Sequence, residues 1–136
     1  MNYLDLKEKK VFITGTSKGI GKAIAEEFLR IGCHVIATYR KDKPVFSDIP
    51  INDKNLTLLK CDITDVEVIS NWLSRFEEEK ERVDILINNA GVFLTHRLLE
   101  VTEDEWDLLM DTNLKATFFL SQCFAHHMKN EGGGII

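Results

Sequence analysis

The 136 residues carry 44% hydrophobic and 29% charged side chains, the balance of one globular domain with its own core. A net charge of −5 and a pI of about 5.4 argue against a nucleic-acid or anionic-membrane surface. No apolar run approaches the ~20 residues of a membrane span and Met1–Lys10 is too polar for a secretory signal, so a cytoplasmic chain is expected, with Cys33, Cys61 and Cys123 as buried thiols rather than a disulfide framework.

The first strand is expected over residues 10–14, where Val11-Phe12-Ile13 is apolar and β-favouring. Ile20, Ala23, Ile24, Phe28 and Ile31 then recur at helical spacing, so a helix is expected over 19–31 with Gly32 as its stop. Thr14-Gly15-Thr16-Ser17-Lys18-Gly19-Ile20-Gly21 therefore lies on a strand-to-helix turn, the context that separates a dinucleotide loop from an ordinary glycine turn. Gly15 permits the tight turn, Gly19 lets backbone approach a pyrophosphate, and Gly21 lets the helix pack closely on the strand. The free N–H groups of the helix would face the phosphates.

Val35–Thr38 reads as the second strand, residues 41–55 with Pro44 and Pro50 as loop, and Leu56–Cys61 as the third strand. A capping box at Thr64-Asp65-Val66-Glu67 opens a helix with Val66, Ile69, Leu73 and Phe76 on one face and Glu77-Glu78-Glu79 as its solvated end. Val83–Ile87 is the fourth strand. A second box at Thr102–Glu105 opens a helical stretch to about Lys129, bent near Asn113, and Ile135-Ile136 begins a fifth strand. Alternating strands and helices predict an α/β fold, a doubly wound parallel sheet with helices on both faces. Ligands of such sheets bind at the carboxyl ends of the strands. Those ends carry the glycine loop, Tyr39-Arg40-Lys41, Cys61-Asp62-Ile63 and Asn88-Asn89-Ala90-Gly91. His126-His127 reads as surface rather than metal site, because adjacent residues point about 100° apart on a helix. His34 and His96 read as isolated.

The glycine loop with its G-x-x-x-G-x-G spacing, and Asn88-Asn89-Ala90-Gly91 after Asp84–Ile87, resemble the two signatures of the short-chain dehydrogenase/reductase family from about Leu6 onward. The resemblance implies a Rossmann-like cofactor domain over residues 1–136, with Gly15, Thr16, Ser17, Lys18, Gly19, Ile20, Gly21, Tyr39, Arg40, Cys61, Asp62, Ile63, Asn89, Ala90 and Gly91 at the cofactor. Asp62 would contact the adenine and Ile63 line its site. Asn113, in Asp111-Thr112-Asn113-Leu114, matches the family's catalytic asparagine, which positions a water in a proton relay; without the family it is a polar residue in a helix.

An NAD site tends to place a carboxylate after the second strand. Here Tyr39 stands there, followed by Arg40 and Lys41, with Lys18 in the loop; cations suit a 2′-phosphate, so NADP(H) is expected over NAD(H), the alternative being a solvated basic patch. The resemblance implies oxidoreduction of a small-molecule carbonyl or secondary alcohol, with 3-oxoacyl-(acyl-carrier-protein) reduction as the specific guess, and no metal. It also implies a homo-oligomer, because relatives pair through the long helix present here and the next one.

Family members complete the active site after the fifth strand with a serine and a Y-x-x-x-K helix. Here the sequence stops inside that strand, so an incomplete, C-terminally truncated domain of a longer reductase is expected. Tyr3 with Lys7 and Tyr39 with Lys43 are rejected as the catalytic pair, Tyr3 for its place before the first strand and Tyr39 because Pro44 opposes a helix through Lys43. The alternatives are a non-catalytic NADP(H)-binding module or a subunit-pairing domain.

Overall fold

A computed structural model of the chain describes residues 6–52 and 54–136. Tyr3 and most of the polar lead-in lie outside the described residues. Strands β1 (Lys10–Ile13), β2 (His34–Tyr39), β3 (Leu56–Lys60) and β4 (Ile85–Ile87) form one parallel sheet in the order β3-β2-β1-β4. The order reverses between β1 and β4, so the crevice at their carboxyl ends is the place where such a sheet takes a ligand. Beyond β4 the chain returns to pair Ile135 with Ile85 as a single parallel bridge, where a fifth strand is expected.

Helix α1 (Gly19–Ile31) covers one face and ends at Gly32, whose φ of 95° is the left-handed stop expected of glycine. Among the described residues no helix joins β2 to β3. Instead the irregular stretch after Tyr39 buries Phe46 and Ile49 against Val35, Ala37 and Val11 on the α1 face, doing the work of a second helix. Helices α2 (Val66–Glu78) and α4 (Thr117–Asn130) cover the opposite face, where Phe12 meets Trp72 and Phe124 at ring distances of 5.4 and 4.8 Å. Helix α3 (Glu103–Met110) runs into α4 through a π-helical turn at Asp111–Ala116, so the bend expected near Asn113 is one extra residue wound into a continuous helix. Among the described residues no helix is long and apolar enough to cross a membrane.

Four local expectations change. The cap of α2 is Asp65, which accepts from the Val68 N–H at 3.3 Å; Thr64 lies one residue before the cap and turns its hydroxyl to Asp62 instead. His127 is buried, not superficial: the Val83 N–H donates to its Nε2 at 2.9 Å, which leaves the proton on Nδ1 facing Glu77 at 2.5 Å. Glu77 is thus a partner of His127 and not a solvated helix end. His34 and His96 are not isolated, since His34 Nε2 meets the Thr57 hydroxyl at 3.1 Å and His96 pairs with Glu105 at 2.9 Å. Of the thiols, Cys33 and Cys61 are buried and Cys123 is half-buried, all three free.

Candidate cofactor site

The glycine loop is fastened on both sides. Towards β2, the Thr16 N–H and hydroxyl both donate to the Thr38 carbonyl at 2.9 Å, and the Gly15 N–H donates to the Thr38 hydroxyl at 3.3 Å. Towards β4, the Thr14 hydroxyl accepts from the Asn89 and Ala90 N–H groups at 3.0 Å, while the Asn89 amide donates to the carbonyls of Thr14 and Gly15 at 3.0 Å. These bonds hold the loop from both neighbouring strands before any ligand arrives.

The three glycines do different things. Gly15 has φ of +72° and sits against Ala90, whose Cα would lie 2.8 Å from a Cβ added here. Gly21 packs on the Gly15 carbonyl and the Asn89 amide, so an added Cβ would collide with both. Gly19 has φ of +62° and nothing near it: the space a side chain would fill is open. Gly19 is the first residue of α1, whose cap position, Lys18, makes no side-chain cap and whose first turn has no acidic residue, whereas α2 and α3 are capped by Asp65 and Thr102. Helix α1 therefore presents uncapped N–H donors and the positive end of its dipole to the cavity.

That cavity, of about 460 Å³, runs along the carboxyl ends of the strands. Of the residues expected from sequence, Gly15, Ser17, Lys18, Ile20, Gly21, Tyr39, Arg40, Cys61, Asp62, Ile63, Asn89, Ala90 and Gly91 all border it. Thr16 does not: it is fully buried and spent on Thr38. Gly19 stands open beside the wall rather than in it. Thr38, Lys41, Asp42, Val92 and Thr112 also border the cavity. Only Lys41 among these is suggested by residue type; the threonines come from strand and helix neighbours that no local spacing marks.

At the β3 end, burial pushes the Asp62 carboxyl up, but the N–H and hydroxyl of Thr64, at 3.0 and 2.8 Å, and the Arg40 guanidinium outweigh it and hold the group below the usual carboxylate range. Arg40 lies 3.7 Å from Asp62 with half its side chain exposed, a loose pair that leaves the guanidinium free to take a second anion. Burial pushes the Cys61 thiol up to about 11 against a hydrogen bond with Thr38, so at neutral pH it is an apolar wall and not a nucleophile.

Asn113 stands apart from the wall. Its Oδ1 accepts from the Val92 N–H and its Nδ2 donates to the Val92 carbonyl, both at 2.8 Å, which clamps the segment after β4 to the π-helical turn. The arrangement fits an extended dinucleotide: an open glycine cradle under an uncapped helix for the pyrophosphate, a carboxylate and an arginine at one end, and space towards Val92 at the other.

The short-chain dehydrogenase family profile matches residues 9–136, and the chain belongs to that family. It is 37% identical to a 3-oxoacyl-(acyl-carrier-protein) reductase of Vibrio cholerae, over 98% of this chain and 54% of that protein. It is 33% identical to an NAD-dependent glycerol dehydrogenase of Listeria innocua, over 97% of this chain and 52% of that protein. Among solved structures, a putative NAD(P)-dependent gluconate 5-dehydrogenase of Beutenbergia cavernae with bound NADP is similar at a TM-score of 0.84 and 32% identity, over 98% of this chain and 55% of that one. A short-chain dehydrogenase of Leptospira borgpetersenii with bound NAD+ is similar at 0.86 and 29%, over 99% and 53%. The chain spans about half the length of the curated relatives it matches.

Proposed function

We propose that the chain is the cofactor-binding half of an NADP(H)-dependent oxidoreductase of a small-molecule carbonyl or secondary alcohol. The observation that carries the cofactor choice is the cavity's β2 end: Tyr39, Arg40 and Lys41 come directly after β2, where a carboxylate would select NAD, with Asp42 only beyond them, and Lys18 faces the cavity from the loop. An NAD-dependent relative and solved structures with bound NADP and with bound NAD+ are all similar, so the preference rests on these side chains. The glycine loop and the first turn of α1 would hold the pyrophosphate, and Asp62 and Ile63 the adenosine. When bound, the nicotinamide supplies or accepts the hydride.

What the chain's own residues contribute is position. Asn113 is proposed for the proton relay through what Val92 leaves it, one amide N–H and its main-chain carbonyl. A proton donor to the substrate oxygen would come from a second half, because Tyr39 is at the wrong end of the cavity and Lys43 is not on a helix. An acyl thioester is the proposed specific substrate. Subunits of the whole protein are proposed to pair through the α3–α4 face, where Trp106, Met110, Leu114 and Phe118 are exposed at four-residue spacing. A cytoplasmic site of action is part of the same proposal.

The test is calorimetric titration with NADPH and NADH. Wild type should prefer NADPH, and Arg40→Ala should lose about 10- to 100-fold in NADPH affinity with NADH little changed, the worth of one charge-assisted hydrogen bond. Equal losses for both cofactors would overturn the 2′-phosphate assignment.

A further inference from the structure

Three cations border the cavity, and Arg40 differs from Lys18 and Lys41. Among the described residues the two lysines make no ion pair, whereas Arg40 Nη1 stands 3.7 Å from Asp62 Oδ2. The sheet brings the two together. β2 and β3 run parallel with Tyr39 beside Lys60, and the Cys61 N–H donates to the Tyr39 carbonyl at 3.0 Å, which carries the ladder one residue past β3. Arg40 follows Tyr39 and Asp62 follows Cys61, so both leave neighbouring strand ends into one wall.

Asp62 is fixed there by a third residue. Its Oδ1 accepts from the N–H and the hydroxyl of Thr64, at 3.0 and 2.8 Å, a local turn that holds the carboxylate in one orientation. Oδ2 is the oxygen left over, and it is the one that faces Arg40. Asp42, the other carboxylate that borders the cavity, makes no ion pair among the described residues.

A fixed carboxylate beside the arginine acts on the two cofactors in opposite ways. A 2′-phosphate drawn to Arg40 also enters the field of Asp62, and repulsion from the carboxylate offsets part of the attraction to the guanidinium. A ligand with a free 2′-hydroxyl leaves Arg40 with its counter-ion rather than as an unpaired cation. Specificity is a difference between two affinities, so a residue sets it as well by opposing the favoured ligand as by gripping it.

We propose that Asp62 is a positioning residue that acts through Arg40 to narrow the preference for NADP(H), so that NAD(H) also serves as cofactor; this rests on the 2′-phosphate reading of Arg40 above. The role is separate from any contact with the adenosine. Such a contact is common to both cofactors and cancels in the ratio of their affinities.

The experiment is calorimetry of wild type, Asp62→Asn, Arg40→Ala and the double variant with 2′,5′-ADP and with 5′-AMP, which differ only in the 2′-phosphate. Asparagine keeps an oxygen for Thr64 and removes the charge. In Asp62→Asn the affinity for 2′,5′-ADP relative to 5′-AMP should rise about 2- to 5-fold, the worth of one exposed ion pair. In the Arg40→Ala background the same substitution should leave that ratio unchanged. The rise should shrink as salt is raised to about 0.5 M, because both side chains are half-exposed and screened. A merely structural role for Asp62 weakens both ligands alike and leaves the ratio where it was, which overturns the proposal. A lower ratio in Asp62→Asn overturns it too, as does an equal rise without Arg40. Should Asp62→Asn not fold, Asp62→Ala removes the same charge and is read by the same ratio. Arg40→Ala that leaves the wild-type ratio unchanged overturns the 2′-phosphate reading itself, and a wild type that binds neither ligand overturns the dinucleotide reading, both distinct from the outcomes at Asp62.

Discussion

The two ends of the cavity are built on different terms. Around β1 and β4 the site is backbone held by buried hydrogen bonds: Thr14, Thr38 and Asn89 lock the glycine loop, and two glycines exist because nothing larger fits. Around β2 and β3 it is exposed side chains on an irregular stretch, with Arg40 held only loosely by Asp62. The first end is set by packing, so changes there strike fold and binding together. The second is set by charge, so changes there should alter preference among ligands while the fold stands.

Substitutions can break or sharpen that contrast. Gly21→Val should be the most damaging, because the added carbons meet the Gly15 carbonyl and the Asn89 amide, both fixed. Overpacking of this kind costs about 1–3 kcal/mol or more, so the variant should melt well below wild type and bind no dinucleotide. Wild-type stability in Gly21→Val would mean that the loop is softer than its hydrogen bonds imply.

Gly19→Val separates the two roles on one loop. The space is open, so the fold should stand, less about 1–3 kcal/mol for a β-branched residue at positive φ. Binding of NADPH should be lost, since the side chain enters the space proposed for the pyrophosphate. Undiminished binding by a folded Gly19→Val chain places the pyrophosphate elsewhere.

A smaller effect is expected at Asp62. Its folded pKa lies below the ordinary value of about 3.9. The stability it contributes is therefore present above that value and lost as the pH falls through the folded pKa. Melting curves from pH 6 down to pH 2 should show a shallower decline below about pH 4 in Asp62→Asn than in wild type. Parallel curves would show that Thr64 and Arg40 do not favour the ionised carboxylate.

Much of this was open to a reading of residues alone, and the division follows the same line. The helical spacing of Ile20, Ala23, Ile24 and Phe28 marks the extent of α1 and Gly32 its end, because both signals are local, but the face α1 buries is Gly21, Ala25 and Leu29, with Ile20 left exposed beside the cavity. The glycine loop and Asn88–Gly91 are local too. What spacing could not show is who stands opposite. Thr38 latches the loop from a neighbouring strand, and His127 meets Val83 and Glu77 across the domain. Each depends on contacts distant in sequence. Thr64 is not the cap because α2 begins one residue later than the box motif places it, which makes Asp65 the capping residue.

The most direct measurement is an amide-resolved NMR titration of the chain with 2′,5′-ADP. The account predicts shifts concentrated in the glycine loop at residues 15–21 and at 39–42 and 61–63, the adenosine end of the cavity, with those at Arg40 abolished when 5′-AMP replaces the ligand. Shifts centred instead on the groove between α2 and α4, or equal effects of the two nucleotides at Arg40, would contradict it.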